Sequence, residues 1–223
     1  MLDGLNGSTR VYFIVGDPIA QVKSPAGVTQ ALRERGSNAI VAPAHVPVEH
    51  LRAWFSGISL ARNVDGVIVT VPHKFSAFEV CATVSERSRF LRAVNTMRRN
   101  PDGSWHGDMF DGLGFVQALR DGGCDLSGKR VLLIGAGGAG SAIAHAVLMA
   151  GVTALAICDE SAQRCGMLIN RLAELKLAAV MKGGPDPAGF DVVLNATPAG
   201  MRPDDPLPVP VDRLTRDIFV GCV

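Results

Sequence analysis

The sequence predicts an α/β fold made of two domains, each built on a largely parallel sheet. The chain has 223 residues, which suits two compact domains of about 100 residues each. Short Val-, Ile- and Leu-rich runs alternate with helical stretches, and this alternation implies parallel strands joined by right-handed crossovers. Aromatic residues make up only 5% of the chain, so the cores depend on aliphatic side chains, as buried parallel strands usually do.

The first half of the chain predicts five strands and four helices, which we assign to a domain spanning residues 1–107. Gly16-Asp17-Pro18 stops the first strand, Pro72 stops the third, and Pro25 suits the first position of a helix. The strands are expected at 11–15, 39–46, 66–71, 93–97 and 105–109, and the helices at 24–35, 48–56, 73–80 and 85–91.

The second half, residues 108–223, repeats the alternation more regularly. A helix is expected from Asp111 to a Gly122-Gly123 stop, and a last apolar run follows a proline-rich loop. Between them, strands are expected at 129–134, 154–158 and 191–195, and helices at 141–150 and 161–175. Since the chain stops inside the last run, 218–223, we expect either a missing C-terminal segment or an unusually early end.

Composition disfavours several classes of protein. The 22 basic and 21 acidic residues nearly balance, and no run of five like charges predicts binding to nucleic acid or a membrane surface. The five cysteines form no C-x-x-C pair, the N-terminus lacks an apolar signal core, and no run of 18 apolar residues occurs. We therefore expect a soluble cytoplasmic protein with reduced thiols. The five histidines show no metal-binding spacing, so no metal is expected.

The strongest local motif is the segment GAGGAG, residues 135–140, between a predicted strand and a predicted helix. In a G-x-G-x-x-G turn, Gly135 permits the tight turn, Gly137 lets a pyrophosphate approach the backbone, and Gly140 allows close packing of helix on strand. The helix N-terminus then attracts the phosphates. The motif predicts a Rossmann-type, doubly wound dinucleotide-binding domain, although a glycine-rich turn without a ligand is the plainer alternative.

Asp159 ends the strand that follows this unit, where an acidic residue binds the ribose hydroxyls of NAD and repels the 2′-phosphate of NADP. The sequence therefore predicts NAD as cofactor, with NADP disfavoured. Two alternatives stay open: Asp159 is an ordinary helix cap, or Arg164, one helical turn further on, accommodates the phosphate.

Three further residues are informative only in combination. Lys74 follows a strand end, which in an open α/β sheet faces the ligand crevice. Taken alone, Lys74 is better interpreted as an exposed lysine, and Asp111 and Ser24 as helix caps.

Six ordered motifs together resemble the shikimate dehydrogenase family over nearly the whole chain. They are GDPIAQVKSP (16–25), VTVPHK (69–74), AVNT (93–96), DGLG (111–114), GAGGAG (135–140) and NATPAGM (195–201). The resemblance implies an N-terminal α/β substrate-binding domain and a C-terminal dinucleotide-binding domain, with the ligands in a crevice between them.

The resemblance also implies roles for individual residues. Lys74 and Asp111 would be the catalytic pair, and the substrate would contact Ser24, Thr70 and Asn95. Cofactor contacts would come from the second domain, at Gly135, Ala136, Gly137, Gly138, Ala139, Asp159, Thr197 and Cys222.

The chain departs from the family pattern at four places. Val22 stands where the family has the first of two serines that hold the substrate carboxylate, and Met109-Phe110 replaces an Asn-Thr pair. Asp159-Glu160-Ser161 replaces the Asn-Arg-Thr that grips the NADP phosphate. The family's C-terminal helices, one of which supplies a substrate-contacting Gln, have no counterpart.

The chemistry implied is reversible hydride transfer between a nicotinamide and a ring alcohol, in which Lys74 is the acid/base group or holds the hydroxyl, and Asp111 orients it. Three hypotheses follow: a shikimate or quinate dehydrogenase of aromatic amino acid biosynthesis, a dehydrogenase for a different hydroxy acid, or a non-catalytic NAD-binding regulator. The expected partner is a small hydroxy acid, and a homodimer is left open.

Overall fold

A computed structural model describes residues 4–200 and 204–223 of the chain. These residues form two compact units that divide between Met109 and Phe110. Each unit has its own sheet, and each is described by itself.

The described residues of the first unit form six strands and four α-helices, with a short 3-10 helix at Val48–His50 before the second of them. The strands are β1 (Arg10–Gly16), β2 (Ala39–His45), β3 (Val64–Val69), β4 (Thr83–Val84), β5 (Thr96–Arg99) and β6 (Trp105–Asp108). The helices are α1 (Ser24–Glu34), α2 (Leu51–Ser59), α3 (Lys74–Phe78) and α4 (Glu86–Leu91).

The sheet of this unit is mixed, with the order β2-β1-β3-β5-β6-β4. Strands β1, β2 and β3 are parallel, as predicted, whereas β5 runs antiparallel to both β3 and β6. Parallel pairing was expected from the alternation of strands and helices, and it fails between β5 and β6 because residues 100–104 are too few for a crossover and form a hairpin turn. Asp102 stabilises that turn by accepting hydrogen bonds from the Ser104 N–H (2.9 Å) and hydroxyl (2.7 Å).

Aromatic side chains link α2 to the sheet. Phe13, Trp54, Phe55 and Trp105 form a chain of edge-to-face contacts with successive centroid distances of 5.5, 5.1 and 6.1 Å. Such pairs contribute stability beyond the area they bury. They hold one face of β1 and β6 against α2 and so fix the sheet whose strand ends carry the sequence motifs of this unit.

In the second unit the described residues form five strands and three α-helices, with a short 3-10 helix at Val211–Arg213. They are α5 (Asp111–Asp121), β7 (Arg130–Ile134), α6 (Gly138–Met149), β8 (Ala154–Cys158), α7 (Ala162–Ala173), β9 (Ala179–Lys182), β10 (Val192–Asn195) and β11 (Phe219–Cys222). No helix in the described ranges is long and apolar enough to cross a membrane.

All the strand pairs of this second sheet are parallel, in the order β11-β10-β7-β8-β9. The order extends outward from β7 in both directions, which is the doubly wound arrangement that the glycine motif predicted. In such sheets ligands bind outside the carboxyl ends of the strands, at the point where the order reverses. That point lies here between β7 and β10.

Candidate active-site residues

Lys74 is buried, so the alternative of an exposed lysine is wrong. Only 8% of the residue is exposed, and its backbone carbonyl accepts the N–H of Val94 at 3.0 Å. Fully buried lysines are rare in proteins unless they are paired or functional. The contact with Val94 brings the start of α3 against the AVNT segment.

The neighbouring residue, His73, is also fully buried. Its Nε2 donates a hydrogen bond to the carbonyl oxygen of Val46 at 2.7 Å, while its Nδ1 has no partner among the described residues. The imidazole therefore ties the turn that carries Lys74 to the chain leaving β2.

The ends of β1 and β3 are joined in the same region. The Asp17 N–H donates to the Val71 carbonyl at 3.0 Å, and the Thr70 N–H donates to the Val15 carbonyl at 2.9 Å. A Cβ at Gly16 would collide with the Thr70 methyl group, so glycine is needed where these chains cross. The first residues of the GDPIAQVKSP motif therefore lie beside Thr70.

Asn95 lies close to the same strand end. Its carbonyl accepts the Val69 N–H at 2.7 Å, its N–H donates to the Asp108 carbonyl at 2.9 Å, and 9% of the residue is exposed. Thus the first unit gathers Thr70, Lys74 and Asn95 at the carboxyl end of β3.

Ser24 begins α1, but it does not cap it. The cap position is Lys23, which makes no side-chain cap bond, and the first turn contains no acidic residue. Ser24 is exposed, and Val22 is half-buried with its N–H donated to the Ile19 carbonyl at 3.1 Å. The interpretation of Ser24 as a capping residue is corrected, and its hydroxyl stands at a helix N-terminus that has no side-chain cap.

Asp108 anchors the end of β6, just before the division between the units. Its carboxylate accepts hydrogen bonds from the Ser85 hydroxyl, the Arg87 Nε (2.8 Å) and the Met109 N–H (2.7 Å). Partial burial alone would raise the pKa of Asp108, but these bonds outweigh it and hold the pKa below its usual value. The sequence did not single out this residue.

Asp111 lies in the first turn of α5, and the capping position is Phe110. A carboxylate there is favoured by the helix dipole. The next residue, Gly112, faces α6 so closely that a Cβ would overlap the Ala142 carbonyl. This close packing of α5 on α6 fixes Asp111 within the second unit.

The glycine turn after β7 has the backbone conformation and the close packing expected from its sequence. Gly135 has a φ of +107°, and a Cβ there would lie 2.8 Å from the Ala196 carbonyl oxygen. A Cβ at Gly140 would overlap the Gly135 carbonyl, whereas one at Gly137 would meet no described atom within 4 Å. Gly137 thus borders open space at the N-terminus of α6, and this is the geometry a pyrophosphate requires.

The carboxylate of Asp159 forms hydrogen bonds with residues of the second unit. Its side chain is 5% exposed and accepts the Ala136 N–H at 2.6 Å, the Ser161 N–H at 2.8 Å and the Arg164 Nη2 at 2.9 Å. Burial would raise the pKa of Asp159, but the two N–H donors and the guanidinium outweigh it and lower the pKa. The cap of α7 is Ser161, so the interpretation of Asp159 as the cap is corrected.

The NATPAGM segment forms a turn held by Asn195, except for Met201, which lies outside the described residues. Thr197 directs both its N–H (3.0 Å) and its hydroxyl (2.6 Å) to the Asn195 Oδ1. Cys222, at the end of β11, is exposed and is a free thiol.

Comparison with known proteins agrees with the resemblance. Residues 14–97 match the profile described as the shikimate dehydrogenase substrate binding domain. The shikimate dehydrogenase (NADP(+)) of Rubrobacter xylanophilus is 34% identical over 97% of this chain and 77% of its own length. The chain belongs to the shikimate dehydrogenase family. The Stenotrophomonas maltophilia (strain K279a) relative of the same name is 36% identical over 91% of this chain and 73% of its own length.

Solved shikimate dehydrogenase structures have the same fold. That of Aquifex aeolicus superposes with a TM-score of 0.90 at 24% identity, covering 98% of this chain and 80% of its own. The Thermus thermophilus enzyme in complex with NADP(H) and shikimate has a TM-score of 0.84 at 27% identity, covering 96% and 78%. The two-domain α/β fold predicted from the sequence is confirmed.

The prediction of NAD with NADP disfavoured was wrong for this shikimate dehydrogenase family member, since the curated relatives are named as NADP(+) enzymes. The physical reason lies at Asp159, which was expected to repel a 2′-phosphate. Its charge is compensated by Arg164, whose side chain is 52% exposed and contacts both Asp159 and Glu160. The guanidinium paired with Asp159 compensates the carboxylate charge that was expected to repel the phosphate.

Proposed function

We propose that this chain catalyses the reversible, NADP-dependent interconversion of shikimate and 3-dehydroshikimate. The observation that carries the proposal is the burial of Lys74 at the carboxyl end of β3, beside Thr70 and Asn95. A buried lysine at a strand end that also carries a threonine and an asparagine suits a ligand that presents several hydroxyl groups. The first unit is accordingly the substrate domain, and the second is the cofactor domain.

In the substrate domain, Lys74 exchanges the proton of the hydroxyl that becomes the ketone. During oxidation this proton moves from the alcohol oxygen to the lysine amine, and during reduction it returns. Thr70 and Asn95 hold neighbouring hydroxyls of the ring, and Ser24 donates to the carboxylate. Asp111 is assigned as the carboxylate that orients the reacting group.

In the cofactor domain, the N–H groups at the start of α6 hold the pyrophosphate at Gly137, Gly138 and Ala139. Ala136 contributes contact alone, because its N–H is donated to Asp159. Thr197 and Cys222 line the path to the nicotinamide, and Arg164 receives the 2′-phosphate. NADP supplies or accepts the hydride, and the chain's residues align it.

A second candidate is a dehydrogenase for a different hydroxy acid, and Val22 favours it. The side chain of Val22 donates no hydrogen bond where the family has a serine. A hydrogen bond to a charged group is worth about 1.5–3 kcal/mol, so shikimate would bind roughly 10–150-fold more weakly than in a two-serine site. Val22→Thr adds a hydroxyl at nearly constant volume, and we expect it to lower the KM for shikimate.

The test is an absorbance assay of NADPH formation with shikimate, quinate and a panel of other cyclic hydroxy acids. Turnover of shikimate with NADP at the highest kcat/KM supports the first candidate. A higher kcat/KM for another acid, together with an unchanged KM for shikimate in Val22→Thr, establishes the second. No turnover of any acid by folded protein would contradict both.

A further inference from the structure

Asn195 is a buried amide at the end of β10 whose hydrogen-bonding capacity is filled. Only 4% of the residue is exposed. Its Oδ1 accepts the N–H and the hydroxyl of Thr197, and its Nδ2 donates to the Ala199 carbonyl at 3.0 Å and the Cys222 sulfur at 3.4 Å. An asparagine side chain offers two donors and about two acceptor sites. All four are therefore used, and they hold residues 195–199 in one turn.

This Asn195 turn, residues 195–199, rests directly on the glycine turn of the cofactor domain. The Ala196 N–H donates to the Ile134 carbonyl at 2.8 Å, so the turn is joined to the end of β7. A Cβ on Gly135 would lie 2.8 Å from the Ala196 carbonyl oxygen and 2.9 Å from the Thr197 methyl carbon. The backbone of Gly135 thus passes against a wall whose position Asn195 sets.

The same residue also joins a third strand end. Asn195 is paired with Ile134 of β7 on one side and with Cys222 of β11 on the other. Its carbonyl accepts the Val223 N–H at 3.1 Å. The backbone at position 195 therefore joins the carboxyl ends of β7, β10 and β11 where the sheet order reverses, and the amide adds a side-chain bond to Cys222.

We infer that Asn195 is a positioning residue for the dinucleotide. Its side chain acts through Gly135 on the N–H groups at the start of α6. This inference rests on the proposed binding of NADP by the second unit. Loss of the amide frees residues 196–199 to move, and the glycine turn loses the wall that holds it in its binding conformation. The expected effect is weaker NADP binding in a protein whose substrate domain is unaltered.

The test compares Asn195→Ala with Asn195→Ser. Alanine removes all four hydrogen bonds, whereas a serine hydroxyl still accepts the N–H two residues on, as in an ST turn. We expect about a tenfold rise in the calorimetric Kd of NADP for Asn195→Ala, equivalent to about 1.4 kcal/mol of binding free energy, and a smaller rise for Asn195→Ser. The Kd of shikimate, measured in parallel, should not change.

Hydrogen exchange on the wild-type protein supplies a readout that does not depend on a variant folding. NADP should slow exchange in peptides covering 192–200 as well as in those covering 135–141. Protection confined to 135–141, or an unchanged NADP Kd in a folded variant with a lowered Tm, would reduce Asn195 to a purely structural role and overturn the inference. Absence of NADP binding by the wild type would instead overturn the proposed function and remove the basis of the inference.

Discussion

The Nε2 of His73 lies 2.7 Å from the carbonyl oxygen of Val46. This bond joins a residue adjacent to Lys74 to the segment leaving β2, across 27 positions of sequence. Because a carbonyl oxygen only accepts, Nε2 carries the proton, and the imidazole acts as a fixed spacer between two loops. The placement of Lys74 therefore depends on a side chain that does not itself face solvent.

Two substitutions of His73 should distinguish the contribution of its hydrogen-bond donor from that of the volume of its ring. His73→Leu fills the space but leaves the Val46 carbonyl unsatisfied, which should cost about 1–3 kcal/mol of the free energy of unfolding and lower kcat. His73→Gln places a donor near Nε2 and should lose less of both. Urea unfolding and the NADPH assay measure the two effects, with the exposed His50→Leu as control. Equal losses in the two variants would show that the hydrogen bond is unimportant.

Substitution of Lys74 should affect turnover rather than cofactor binding. We expect Lys74→Ala to reduce kcat by roughly 10²–10⁴, the usual contribution of a positioned acid/base group. The Kd of NADP should stay unchanged because the glycine turn is not altered. Lys129→Ala removes an exposed lysine and provides the matched control. Wild-type turnover in purified Lys74→Ala would exclude this residue from the mechanism.

Arg164 should determine how strongly the 2′-phosphate contributes to binding. Loss of a charged hydrogen bond to phosphate costs about 1.5–3 kcal/mol, so Arg164→Ala should raise the KM for NADP roughly 10–150-fold. The KM for NAD should change little, since that cofactor lacks the phosphate. Arg120→Ala, an exposed arginine of α5, is the control. A parallel rise for both cofactors would mean that Arg164 acts only by holding Asp159.

Asp108 should make the first unit sensitive to acid. Its folded-state pKa is lowered, so its contribution to stability is present above the usual carboxyl range and is lost as the pH falls through the folded pKa. Asp108→Asn should therefore be less stable than the wild type at pH 7, and the difference should shrink as the pH falls. Urea titrations at several pH values test this, with exposed Glu49→Gln as control. A difference that is constant with pH would contradict the assignment.

The local sequence predicted those elements whose cause is local. The strand 129–134, the turn GAGGAG and the following helix were expected nearly where β7 and α6 lie, because glycine spacing and apolar periodicity act over a few residues. The short strands β4 and β9 were missed, since pairing with β6 and β8 creates them. The antiparallel pairing of β5 with β6 was also missed, although Pro101-Asp102-Gly103 is a turn signal.

The features of the candidate site also divide into those that the local sequence predicts and those that depend on tertiary contacts. Motif order predicted roles for Lys74, Asp111 and the glycines, but the interactions that hold these residues are tertiary. No spacing in the sequence indicates that His73 bonds to Val46, or that Asn195 reaches Cys222. The wrong prediction at Asp159 has the same origin. The charge of its carboxylate is compensated by Arg164 and by backbone donors that only the folded chain brings together.

The three glycines of the turn should behave differently under selection. Gly135 and Gly140 are enclosed by backbone atoms, so larger residues there should reduce both the abundance and the activity of the protein in a mutational scan. Gly137 has a φ of −75°, which any residue tolerates, and open space where its side chain would be. Gly137→Ala should therefore pass an abundance screen yet fail a screen for growth that requires the enzyme. Such a variant would be a well-folded protein defective in cofactor binding, and it would escape any stability-based forecast of harmful mutations.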